Sequence, residues 1–229
     1  MVSMAEYSVG VATRNKIYEV SKHLFYERGI KDTSYADICK VAEVNRGLIP
    51  YYFKSKSKLA IMVLNEFVDS MGAAVESRWG DQSLDPLTEN ALIELLQFEL
   101  LEEDGHVLRF YGEAMASSDF HDQLLAVQAR VITQLSQGAP IELSDAALRT
   151  FACMMHGTEN ELVQAMRTHY LTEGVESFVR RDIEWIYRML GFSDKTIDEA
   201  CERGFSLARD YRFTCDDRFC CEVVPARQA

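Results

Sequence analysis

The strongest constraint in this chain is how rarely it can turn. Only 4 Pro and 12 Gly are spread over 229 residues. Segments such as 145–170 contain one glycine and no proline. A sheet-rich fold needs turn-formers every 8–12 residues or so, whereas long helices need few. The apolar residues also recur at helical spacing. Ile17, Val20, Leu24 and Phe25 share one face of a segment over 13–28, and Gly29 stops it. Ser34-Tyr-Ala-Asp37 reads as a capping box for a short second helix with Ile38, Val41 and Ala42 inward. Asn45 is the N-cap expected for a third helix reaching Phe53. Ser55 caps a fourth that carries Leu59, Met62, Val63, Phe67 and Met71 toward Trp79. After a polar linker over 80–86, helices are expected over 87–102, 106–116, 119–135, 145–170, 174–190 and 194–211. The tail from Thr214 shows no periodicity and is expected to be loose. The sequence therefore predicts an all-α fold. A three-helix head over 1–58 is followed by a helical bundle over 59–213 and a tail over 214–229.

Composition excludes several classes. Hydrophobic residues make up 48% and charged residues 26%, as in a folded globular chain and unlike a disordered one. No run approaches the ~20 apolar residues that cross a bilayer, and residues 1–12 show no secretory signal. With no C-x-x-C among Cys39, Cys153, Cys201, Cys215, Cys220 and Cys221, a reducing, cytoplasmic setting is expected. The cluster Cys215, Cys220 and Cys221 leaves a thiol switch or a soft-metal site open. No His/Cys/Asp/Glu set elsewhere has metal-ligand spacing, and no nucleophile elbow, phosphate loop or dinucleotide fingerprint appears. Neither a metal, a cofactor nor a catalytic activity is expected.

The net charge of −12 argues against a polyanionic partner until its distribution is considered. Residues 1–66 carry ten Lys and Arg against seven Asp and Glu, a charge of +3; the rest carries 14 against 29, or −15. A basic head on an acidic body is suited to meeting a polyanion with the head alone. The second and third helices, separated by a tight turn at Glu43-Val44, form a helix-turn-helix. In that geometry Asn45, Arg46, Gly47 and Leu48 enter the major groove first, with Arg46 able to read a guanine edge. Tyr51 and Tyr52 follow, and Lys56 opens the next helix, where an ammonium and helical N–H groups favour a phosphate. Thr33, Ser34 and Tyr35 open the second helix beside the same surface.

The stretch TSYADICKVAEVNRGLIPYYFKSKSKLAIMVLNEF, residues 33–67, resembles the tetracycline-repressor (TetR) family of bacterial transcription regulators. Thr33, Ile38, Ala42, Val44, Asn45, Gly47, Tyr51, Tyr52, Phe53, Lys56 and Leu59 occupy the family's places, and TRNKIYEVSKHLFYERGIKDTS resembles its opening helix. Two positions depart. Glu43 stands where the family has a glycine, at a point that tends to need φ > 0. Pro50 replaces a tyrosine, removing an N–H and a hydroxyl. The resemblance covers residues 12–68. It implies a homodimer whose heads bind two half-sites of a double-stranded operator, with a small effector in the larger domain releasing the DNA.

For the effector, expected to be mostly apolar, the candidate lining is Phe67, Met71, Phe98, Phe110, Met115, Phe151, Met154 and Met155, with His156 and Glu159 as polar contacts. For the dimer, small residues Cys153 and Gly157 on one helix and the stripe Phe178, Trp185, Ile186 and Met189 on the next predict a four-helix interface. The reading from another class is an architectural or partner-binding helix-turn-helix factor without a small effector.

Overall fold

The computed structural model describes residues 4–82 and 84–226, so the first three residues of the predicted head and the last three of the predicted tail lie outside it. Ten helices run in chain order: α1 (Met4–Arg28), α2 (Tyr35–Ala42), α3 (Leu48–Phe53), α4 (Lys56–Trp79), α5 (Pro86–Glu103), α6 (Gly105–Met115), α7 (His121–Leu135), α8 (Asp145–Arg167), α9 (Val175–Met189) and α10 (Asp194–Ala208). The all-α expectation holds for the body of the molecule. The serine caps are formed, whereas Asn45 does not cap α3. Ser34 makes both halves of a capping box with Asp37, Ser55 accepts the Lys58 N–H, and Ser144 and Ser193 cap α8 and α10.

Helices α1 to α3 form the head around Ile17, Leu24, Phe25, Ile38, Ala42, Ile49 and Phe53, all buried. Helix α4 leaves the head and enters the body, where Phe67, Met71, Val75 and Trp79 are buried along it. Helices α5, α9 and α10 pack together on one side and α7 against α8 on the other. The approach of α10 to α5 depends on Gly204, because a Cβ there would lie 2.9 Å from the Thr88 carbonyl oxygen.

The tail departs from expectation. Far from loose, it forms an antiparallel hairpin, β1 (Tyr211–Cys215) and β2 (Cys221–Pro225), with Cys215 opposite Cys221. The residues that close it are buried: Phe213 and Phe219 are each about fully covered. Phe219 sits 4.2 Å (centroid to centroid) from Phe110, with Phe67 and Tyr26 around it. The hairpin also bonds to α4, where Ser70 Oγ donates to the Phe219 carbonyl and accepts the Cys221 N–H. Toward α1, His23 meets Asp217 at 2.8 Å. Helical periodicity cannot reveal this element, because its signal is alternation: Tyr211, Phe213 and Cys215 occupy every second position.

If Phe219 completes the core, Phe219→Ala should cost ~3–5 kcal/mol by urea denaturation. A loss below ~1 kcal/mol would place the hairpin outside the cooperative unit.

Candidate DNA interface and effector cavity

The helix-turn-helix is built by two unusual residues. Glu43 ends α2 with φ 54° and ψ 45°, the left-handed geometry that a glycine would take without strain. Its carboxylate reaches across to Lys16 at 3.2 Å, an exposed pair of little energetic weight. Pro50 is the third residue of α3, within the first turn, where its missing N–H has no helical partner to lose. A bond from residue 50 to the carbonyl of Arg46 cannot form. The regular helix accordingly begins at Leu48 rather than just after Asn45, and Gly47 takes the N-cap position.

Asn45, Arg46 and Gly47 are left exposed at the leading end, together with Tyr51, which is 77% exposed. Leu48 and Tyr52 are half-buried, with Tyr52 edge-on to Tyr51 at 4.9 Å. The Arg46 guanidinium lies 5.9 Å from the Tyr35 ring. Two expected DNA contacts are corrected. Thr33 is fully buried, and its hydroxyl donates to the Gly29 and Leu24 carbonyls at the end of α1. Lys56 turns inward, donating to the Ile30 and Thr33 carbonyls at 2.6 and 2.7 Å. Both serve the loop that joins α1 to α2. Tyr35 adds to this, its hydroxyl accepting the Lys56 N–H at the start of α4. Ser34 is exposed, but its hydroxyl is engaged with Asp37. The exposed ammonium groups near the turn belong to Lys54 and Lys58.

The body contains a cavity of about 610 Å³ between α4, α5, α6, α7, α8 and α9. That is in the range of small-ligand sites. Of the expected lining, Met71, Phe98, Met155 and Glu159 are present. The others are elsewhere. Phe67 and Phe110 face the hairpin's Phe219, and Met115 is buried in the core. Phe151 is half-buried and Met154 is 40% exposed on α8. His156 stacks edge-on to His121 and is kept below the ordinary histidine range by burial first and by His121 second.

The cavity wall is richer in polar groups than the sequence suggested. Five carboxyls line it, from Asp69, Glu89, Glu94, Glu159 and Asp182, against one guanidinium, the exposed Arg130. Glu159 accepts hydrogen bonds from Tyr111 Oη and from the Gln97 and Gln128 amides. Burial nonetheless raises its pKa. Glu94 on α5 and Asp182 on α9 face each other in the cavity wall. Burial pushes both up, Asp182 to about 6. One oxygen of Asp182 is buried with no partner. The sequence could have signalled Gln97, Tyr111 and Gln128 only through polar residues recurring on otherwise apolar helix faces.

Cavity and head share one helix. On α6, Tyr111 lines the cavity, while Arg109 donates to the Tyr26 and Glu27 carbonyls and buried Glu113 accepts the Lys31 N–H. Asp104, capping α6, accepts the Tyr26 hydroxyl.

The predicted dimer stripe is divided. Phe178 and Ile186 point inward, Phe178 packing edge-on to Phe98 at 5.4 Å. Trp185 and Met189 are half-buried, while Cys153 and Gly157 are exposed on α8. Among the described residues no group of three His, Cys, Asp or Glu is placed to hold a metal ion, and no helix is long and apolar enough to cross a membrane.

An exposed helix-turn-helix coupled to a helical body with an open cavity is the architecture of a DNA-binding transcriptional regulator. The comparisons agree. Residues 17–63 match the family of bacterial regulatory proteins named after tetR. The probable HTH-type transcriptional regulator ArpR of Pseudomonas putida is 26% identical over 140 residues, 60% of this chain and 67% of that one. The probable HTH-type transcriptional regulator YttP of Bacillus subtilis is 34% identical over 91 residues, 40% and 43% of the two chains. The crystal structure of RolR in complex with resorcinol shares the fold, with a TM-score of 0.62 at 21% identity over 86% of this chain and 96% of that one. The head thus carries the sequence pattern of the tetR family of bacterial regulatory proteins over residues 17–63.

The raised carboxyls make a prediction about stability. Asp182 has a higher pKa folded than unfolded, so between about pH 4 and 6 the folded state binds more protons. Stability must then fall as pH rises through that window and stay reduced above it. Asp182→Asn should flatten this part of the curve, read as melting temperature from pH 4.5 to 8. An unchanged slope would mean that Asp182 is solvated.

Proposed function

We propose that the chain is a ligand-responsive repressor, with residues 1–58 binding a near-palindromic operator as part of a homodimer and the body over 59–213 housing the effector. The observation that carries this reading is the shared helix α6, which lines the cavity at Tyr111 and holds the end of α1 at Arg109 and Glu113. A ligand that moves Tyr111 pulls on the carbonyls at the base of the head. Binding releases DNA only if the ligand prefers the conformation that misaligns the two heads. The exposed positions Asn45, Arg46, Gly47 and Tyr51 are the proposed base-reading set, with Leu48 and Tyr52 beside them. The dimer is proposed to form through the outer faces of α8 and α9, using Cys153, Gly157, Trp185 and Met189. The 610 Å³ cavity speaks against the effector-free architectural reading.

The cavity supports a narrower effector class than an apolar one. Five carboxyls and the Phe98 and Tyr111 rings favour an organic cation with an aromatic or aliphatic body, held by charge and by cation–π contact. A cation beside Glu94 and Asp182 would favour their charged forms and so draw protons off these raised carboxyls. Resorcinol, bound by RolR, is the neutral comparison.

Two measurements test the proposal. In fluorescence anisotropy on a selected operator, Arg46→Ala should relax preference at one base pair per half-site at a cost of ~1–3 kcal/mol. Lys56→Ala should instead lower the melting temperature and weaken all DNA sequences alike. If Arg46→Ala leaves both affinity and preference unchanged, the docking of α3 is wrong. In a thermal-shift series at equal concentration, benzamidine should stabilise more than resorcinol and benzoate least, and Glu159→Gln should reduce the benzamidine shift. Stabilisation by benzoate above the other two would overturn the cationic class.

A further inference from the structure

The hairpin brings together two thiols that the regulator reading leaves unused. Cys215 and Cys221 are direct cross-strand partners. The ladder bonds flanking them fix the kind of pair. The Asp216 N–H donates to the Cys220 carbonyl and the Ala226 N–H to the Asp210 carbonyl, so hydrogen-bonded pairs fall on the even-numbered positions of β1. Cys215–Cys221 is therefore a non-hydrogen-bonded pair, the kind in which Cα atoms approach to ~4.5 Å and side chains lie closest. The Cys221 N–H, free of the ladder, donates to Ser70 Oγ on α4 instead. The Cys215 thiol donates to the Asp216 carbonyl at 3.5 Å, beside the Cys221 thiol across the strand pair.

We propose that Cys215 and Cys221 form a reversible dithiol–disulfide site, oxidised by small hydroperoxides, that resets the seating of the hairpin on α4 and α1. The chemistry balances with hydrogen peroxide as oxidant. The Cys221 thiolate attacks one peroxide oxygen, an S–O bond forms, the O–O bond breaks and the other oxygen leaves as water after taking a proton. Cys215 then attacks the sulfenic sulfur, the S–S bond forms, and hydroxide leaves with the Cys215 proton as a second water. The order of attack follows from the surroundings. The Cys215 thiol holds Cys221 below the ordinary thiol range, against an opposing effect of burial, and Ser70 adds to it. The neighbouring Cys221 thiol, with burial, pushes Cys215 up. Cys221 is buried but adjoins the exposed Cys220 at the hairpin turn, and Cys215 is half-buried.

Disulfides prefer Cα separations of ~5.5–6 Å and tolerate ~4.4 Å only at the lower limit. The ~4.5 Å of a non-hydrogen-bonded pair lies at the short end of that range, so closing the bond is expected to push the strands apart and to leave it readily reduced. The shift acts on the neighbours of Cys221: Phe219 in the core, Ser70 on α4 and, through Asp217, His23 on α1.

The test uses the full, reduced chain treated with hydrogen peroxide. The intact mass should fall by about 2 Da, with two of the six thiols lost to a thiol reagent and restored by dithiothreitol. Trypsin should release the peptide FTCDDR joined to FCCEVVPAR. Cys220→Ser should keep the bond, while Cys221→Ser and Cys215→Ser should each abolish it. Hydrogen exchange at the Cys221 amide should be faster in the oxidised form. A bond from Cys215 to Cys220, or thiols that resist peroxide, would overturn the site; equal exchange rates would overturn the resetting of the hairpin. None of these readouts uses DNA, so their failure is distinguishable from failure of the regulator reading.

Discussion

The molecule depends on how the C-terminal end of α1 is capped. The last carbonyls of any helix have no partner within it and must find donors elsewhere. Here they find them in three parts of the chain. Arg109 on α6 takes the Tyr26 and Glu27 carbonyls, Thr33 takes Leu24 and Gly29, and Lys56 on α4 takes Ile30 and Thr33 just beyond. Gly29 permits the turn with φ 83°, and a Cβ there would meet the Glu113 carboxylate at 2.9 Å. A flexible linker between head and body would carry no mechanical signal. Short charge-assisted hydrogen bonds, fixed in direction, can.

The same capping accounts for two corrections to the sequence reading. Thr33 and Lys56 occupy the family's pattern, and a polar residue near a recognition helix invites assignment to DNA. Their donors are consumed by the α1–α2 loop instead. Positions at which the pattern reports local geometry were legible: the Ser34–Asp37 box, the left-handed turn at Glu43 and the first-turn proline at Pro50 all follow from the backbone rules of a few adjacent residues.

The body was legible as helices and not as a site. Which face of α4 or α6 meets the cavity is decided by partners far away in sequence. Phe67 and Phe110 have the periodicity of cavity residues, yet Phe219 covers them from the hairpin. Phe178 and Ile186 look like an outer stripe until α5 is placed against them. The carboxyls are the reverse case. Glu94 and Asp182 read as solvated charges on amphipathic helices, and only the packing of α5 against α9 brings them together over the cavity.

The hairpin has a consequence for how the chain acquires its structure. Ser70 and Phe219 touch across 149 residues of sequence, and Arg78 meets Tyr211 across 133. Closing loops of that length is entropically slow and comes after the local helices have formed. Until it happens, Phe67 and Phe110 present an open aromatic slot between the head and the body. The hairpin's contacts with α1 and α4 are thus among the last native contacts to form.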